Sequence, residues 1–84
     1  MYEIIFDEDT EDFLKSLEKS LKERIYNKIM STAEDPQHFF QRLTGRLDYK
    51  LRVGNYRIIA DIDQTKNLIK ITRIGHRKNI YDNI

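Results

Sequence analysis

The stretch Tyr49-Lys-Leu-Arg-Val-Gly-Asn-Tyr-Arg-Ile-Ile-Ala60 constrains this chain more than any other. It reads as two strands joined by a two-residue turn at Gly54-Asn55, where glycine supplies the positive φ that such turns need. If Val53 stands opposite Tyr56, then Arg52 stands opposite Arg57 and Lys50 opposite Ile59. The two-residue period of a strand puts Lys50, Arg52, Arg57 and Ile59 on one face. Tyr49, Leu51, Val53, Tyr56, Ile58 and Ala60 take the other face, which is the one expected to be buried. The cationic face is then expected to meet water or a ligand. Directly opposed like charges cost roughly a few tenths of a kcal/mol or more, and an anion that neutralises them is the economical reason to keep them.

The 84 residues suffice for one small domain, expected to run over residues 1–84. With no cysteine and only His38 and His76, neither a disulfide framework nor an ordinary zinc site is expected. No signal peptide and no apolar run of membrane-spanning length is apparent, so a cytoplasmic protein without a membrane is expected. The net charge of +1 conceals a polarity between halves. Residues 1–38 hold ten acidic and five basic side chains, net −5, whereas residues 39–84 hold four acidic and ten basic, net +6. Arg42, Arg46, Arg52, Arg57, Arg73 and Arg77 all fall in the second half, and the planar guanidinium fork suits phosphate.

Periodicity predicts the order β-α-α-β-β-β, an α+β fold with two N-terminal helices packed on one face of a small, mainly antiparallel twisted sheet. Tyr2 to Phe6 reads as a strand, and Asp7 to Asp9 as a turn. A first helix follows, capped by Thr10, with Phe13, Leu14 and Leu17 as its apolar stripe. Ser20-Leu-Lys-Glu23 matches a capping box, so a second helix is expected from Leu21 to about Glu34, halted by Asp35-Pro36. Its Tyr26 and Met30, like Phe13, are expected to pack in the core. Gln37 to Thr44 reads as a connection that tucks Phe39, Phe40 and Leu43 under the sheet. Gly45 to Val53, Tyr56 to Ile62 and Leu68 to Ile74 read as successive antiparallel strands. A five-residue turn from Asp63 to Asn67 would pair Ile62 with Leu68, and hence Arg57 with Arg73, whereas a one-residue change would send Arg73 to the other face. Gly75 to Tyr81 is expected as a tail or short helix.

The basic half offers several cations, one aromatic hydroxyl at Tyr81 and no carboxylate pair, Gly-rich phosphate loop, Ser/His/Asp set or metal cluster. That inventory suits metal-free cleavage of RNA, in which a ribose 2′-hydroxyl attacks the adjacent phosphate. The reaction needs a base, cations for the developing charge, and a proton donor for the departing 5′-oxygen. Lys and Tyr ionise near pH 10 when unperturbed. Either would need neighbouring positive charge to act as a base. His76 has no evident orienting carboxylate and reads as a surface or hydrogen-bonding residue.

The segments Leu43-Thr-Gly45, Tyr49-Lys-Leu-Arg-Val-Gly-Asn-Tyr-Arg-Ile-Ile59 and Ile74-Gly-His-Arg-Lys-Asn-Ile-Tyr81 together resemble the RelE branch of the RelE/ParE superfamily of prokaryotic toxins. The resemblance covers nearly the whole chain and agrees with the expected element order. It implies a cofactor-free endoribonuclease, an mRNA interferase, that cuts messenger RNA in the ribosomal decoding site and so inhibits translation. It also implies restraint by a cognate RelB-like antitoxin in a heteromeric complex. Carried over by position, Arg57 and Arg77 would stabilise the transition state, Lys50 would match an upstream catalytic lysine, and Tyr81 would sit against the base or ribose. Arg52 would hold the RNA backbone, with Arg46, Arg73 and Lys78 as further substrate contacts. The chain departs from the pattern at Asp48, where ribosome-dependent members carry another lysine, and Arg46 stands near enough to compensate. Two other readings use the same scaffold: a non-catalytic ParE-type toxin that binds DNA gyrase, and an RNA-binding module without cleavage.

Overall fold

The hairpin register counted from the sequence is the one adopted in the computed structural model, which describes residues 1–45 and 47–80, with the backbone alone at Ile80. Strands β3 (Tyr49–Val53) and β4 (Tyr56–Asp63) pair with Arg52 opposite Arg57, Lys50 opposite Ile59 and Val53 opposite Tyr56. Gly54 takes φ +58° while Asn55 stays in the negative region, so glycine stands first in the turn, where the positive φ falls. Around this hairpin the sheet has five strands in the order β1-β5-β4-β3-β2. β1 (Glu3–Phe6) lies parallel to β5 (Leu68–His76); all other neighbours are antiparallel.

Two helices cover one face. α1 (Glu8–Ser16) begins two residues before the expected cap, and Thr10 lies inside it rather than at its end. Its buried hydroxyl donates to the carbonyls of Asp7, at 2.8 Å, and Ile71, at 3.1 Å, which fastens α1 to β5. α2 (Lys19–Ser31) is capped by Glu18, not Ser20. The Glu18 carboxylate accepts from the Ser20 hydroxyl and from the N–H groups of Leu21 and Ser20. Those bonds, the hydroxyl first, hold its carboxyl below the ordinary range. A carboxylate outcompetes a hydroxyl as acceptor for the free N–H groups of a helix start, which is why the cap moved.

Ile25 and Ile29 of α2 and Leu14 of α1 meet Leu51, Val53, Ile58, Ala60, Ile69, Ile71 and Ile74 of the sheet in the main core. Tyr26 and Met30, expected inside, are 44% and 40% exposed, and Tyr26 stacks on Phe6 at 6.3 Å. They sit one residue beyond Ile25 and Ile29, and that step of about 100° turns them off the narrow buried stripe.

Three further expectations are corrected. The helix does not run to Glu34: α2 ends at Ser31, a 3-10 turn covers Thr32–Glu34, and a short α3 (Pro36–Phe39) follows with proline in its first turn. The connecting segment also contributes an edge strand, β2 (Gln41–Arg42), while β3 begins at Tyr49 rather than Gly45. Finally, Arg57 stands opposite Gly75, and Arg73 opposite Ile59. The Asp63 carboxylate tightens the turn by accepting from Thr65 and Lys66 N–H, at 3.0 and 3.1 Å, so that Asp63 itself pairs with Leu68. A bulge between Ile59 and Ala60 then shifts the register once more. Two single-residue shifts restore the face parity, which leaves Arg73 on the Arg57 face by register. β5 runs two residues past the expected Ile74, and α4 (Arg77–Ile80) follows it directly.

Among the described residues no helix is long and apolar enough to cross a membrane.

Candidate functional site

Lys50, Arg52 and Arg57 converge on one depression of about 490 Å³ beside β3, together with Lys28 of α2 and His38, Phe39 and Gln41 of the α3–β2 segment. Strand pairing accounts for the convergence: Gln41 stands opposite Lys50 across the β2 edge, and Arg52 opposite Arg57 across the hairpin. The cationic face is less open than the sequence suggests. Arg52 is exposed and Lys50 half-buried, but Arg57 is only 6% exposed. Leu43 and Ile59 make a small second cluster on this side of the sheet, and the Leu43 N–H bonds to the Asp48 carbonyl at 3.1 Å to close the loop before β3. Opposite Arg57, Gly75 presents no side chain to compete for the same surface. Burying a guanidinium is costly unless it is hydrogen-bonded, and Arg57 reaches the Tyr56 carbonyl at 3.4 Å among its partners.

Arg77 approaches from the other end of the hairpin. Its backbone N–H donates to the Asn55 carbonyl at 2.8 Å, so the start of α4 is tied to the Gly54-Asn55 turn. His76 orders the same junction: Nδ1 accepts the Lys78 N–H at 3.2 Å while the ring stands edge-on to Tyr56, 5.4 Å between centroids. Arg77 and Lys78 are both exposed there. Arg73 lies elsewhere, lining shallow grooves with Phe13 and Ile74 on the part of β5 that runs past β1. Arg46 and Tyr81 lie outside the described residues.

The sequence reading missed Lys28, and with it the contribution of the acidic half. Lys28 Nζ sits 4.8 Å from the Phe39 ring centroid, so the helix cation and the aromatic form one wall of the depression. Arg24-Ile25 and Lys28-Ile29 repeat a cation beside each buried isoleucine of α2, but only the fold brings that face of the helix beside β3. Among the described residues no group of three or more His, Cys, Asp or Glu side chains could hold a metal ion.

Comparison with known proteins bears on this arrangement. The family model described as the ParE toxin of the type II toxin-antitoxin system parDE matches residues 4–81. The chain belongs to the ParE toxin family. It is thus a toxin of a type II toxin-antitoxin system, within the RelE/ParE superfamily. Solved RelE structures share its fold. The toxin is similar to a chain of the intact Escherichia coli RelBE toxin-antitoxin complex, with TM-score 0.78 and 21% identity over 90% of this chain and 96% of that one. It is similar to the isolated E. coli RelE toxin, with TM-score 0.75 and 20% identity over 98% and 93%. A chain of the archaeal RelE-RelB complex from Pyrococcus horikoshii gives TM-score 0.75 and 25% identity over 93% and 97%. Comparison with curated protein sequences yields no match.

Proposed function

We propose that this toxin is a ribosome-dependent mRNA endoribonuclease whose active centre is the cationic depression beside β3, with the start of α4 brought up to the turn of the same hairpin. The observation that carries the reading is the gathering of Lys50, Arg52 and Arg57 on one concave surface, with Arg77 tied to the hairpin turn. In the proposed reaction a ribose 2′-oxygen attacks the adjacent phosphorus. The O2′–P bond forms and the P–O5′ bond breaks; the 2′-hydroxyl proton passes to a base, and another proton reaches the departing 5′-oxygen. Negative charge grows on the non-bridging oxygens. Fixed guanidinium groups in a partly dry site stabilise such charge without having to reorganise. Arg57 and Arg77 take this role. Burial and the Tyr56 bond hold Arg57 in place. Arg52, exposed on the same face, grips the RNA backbone. Lys50, half-buried on the same face, is assigned to proton transfer by the RelE resemblance, its ammonium being able to give a proton to the departing 5′-oxygen. Tyr81, four residues past Arg77, is assigned to the base or ribose by the RelE resemblance, and Arg46, Arg73 and Lys78 to outer phosphate contacts.

Residues 1–84 act as one domain in this reading, a cytoplasmic toxin held silent by a RelB-like antitoxin. The solved E. coli and P. horikoshii complexes pair RelE with RelB, and the exposed apolar surface at Tyr26 and Met30 offers such a partner a place to bury side chains.

The matched family model carries the name of the ParE branch, so the second reading is the ParE-type toxin of the superfamily resemblance, one that binds DNA gyrase without cutting RNA. Two parallel assays separate the two. Purified, antitoxin-free toxin is incubated with translating ribosomes and, separately, with gyrase and relaxed plasmid. The interferase reading predicts cut mRNA and undisturbed supercoiling. Intact mRNA with inhibited supercoiling would overturn it.

A further inference from the structure

Lys28 and Arg52 line a second depression as well, of about 590 Å³, whose other walls include Arg24 and the Gly54 turn. The Arg24 guanidinium lies directly over the turn, its Nη2 and Nη1 atoms 3.1 and 3.3 Å from where a Cβ on Gly54 would stand. Arg24 and Lys28 are one helical turn apart and therefore share a face of α2. The two depressions thus join into one strip carrying Arg24, Lys28, Arg52, Lys50 and Arg57. Among the described residues neither Arg24, Lys28, Lys50 nor Arg52 makes an ion pair. These four unpaired cations, drawn from both the acidic and the basic half, call for an extended polyanion. His38 and Phe39, edge to face with ring centroids 4.9 Å apart, stand within the strip, and the exposed His38 ring offers a face on which a base can stack.

We infer that Arg24 and Lys28 form a second phosphate-binding segment, which holds single-stranded RNA beyond the reacting phosphodiester and sets its path across the hairpin. The inference rests on the interferase reading for the identity of the neighbouring depression. Gly54 fits this role, because any side chain there would intrude between the turn and Arg24.

The test measures binding of a short fluorescent 2′-O-methyl RNA, which lacks the attacking hydroxyl, to the whole chain over a range of salt concentrations. Each phosphate contact on a single strand contributes about 0.7 to the slope of log K against log salt. The Arg24→Gln/Lys28→Gln variant should therefore lose about 1.4 from that slope, and the charge-conserving Arg24→Lys/Lys28→Arg variant should keep it. Urea unfolding confirms that each variant is folded. An unchanged slope in the folded glutamine variant would overturn the inference. So would a polyglutamate probe that binds the wild type as tightly as RNA and loses as much, because undirected charge attraction would then account for everything. mRNA cleavage by the wild type is scored separately. A slope that depends on Arg24 and Lys28 without any cleavage sinks the interferase reading and leaves the RNA path standing; cleavage with an indifferent slope sinks the path alone.

Discussion

Gly54 combines a φ of +58° with a guanidinium pressed over its missing side chain. Of the two constraints the backbone is the stiffer, since an arginine tip can swing away at little cost. Gly54→Ala should therefore destabilise the fold by about 1–2 kcal/mol in urea unfolding, and adding Arg24→Ala should recover little of that loss. Full recovery in the double variant would show that crowding governs instead. At Glu18 the carboxyl is held below its ordinary range by bonds that exist only when α2 is folded. A group whose folded pKa is depressed stabilises above its unfolded pKa and loses that contribution as pH falls through the folded value. Glu18→Gln should lower the thermal midpoint at neutral pH, and the gap from wild type should close on acidification below the carboxylate range. A gap constant with pH would refute the role of the charge.

Among the elements, the hairpin register was legible because alternation, a Gly-Asn turn and a two-residue period leave one pairing, although β3 starts four residues later than expected. The β4–β5 register was not. It depends on the Asp63 side chain binding its own turn and on a bulge at Ile59/Ala60, and neither leaves a mark in hydrophobic periodicity. The same limit applies to β2 and α3, which together span only six residues and owe their existence to pairing with β3 and to Pro36. The helices were legible as apolar stripes, but their exact faces were not, so Tyr26 and Met30 were misplaced by one step around α2. The core that the stripes build is tight where α2 meets the sheet. Ile58 is fully buried beneath the helices, and Ile58→Ala should cost about 2–5 kcal/mol through lost burial and a residual cavity. A cost below about 1 kcal/mol would mean that the sheet and helices pack less closely than described.

Across the whole molecule the charge polarity of the sequence translates into a division of labour with one exception. The acidic half supplies most of the helical cover, and the basic half the cationic side of the hairpin, yet Arg24 and Lys28 cross from the first to the second. Half-by-half charge counting hides such a crossing, because only the fold brings α2 beside β3. The candidate site was readable in Lys50, Arg52 and Arg57, whose neighbourhood follows from the hairpin. It was not readable in Lys28 or in the Asn55–Arg77 bond, which join residues distant in sequence. The central claim is that these cations cut RNA rather than merely hold it. The most direct test maps mRNA cuts on purified ribosomes by primer extension, with the antitoxin-free wild type and Arg77→Ala, while ribosome binding by both is followed. Cuts confined to the decoding site, slowed about 10²–10³-fold in Arg77→Ala with binding retained, are the predicted result. A folded, ribosome-bound wild type that leaves the message intact would contradict the account.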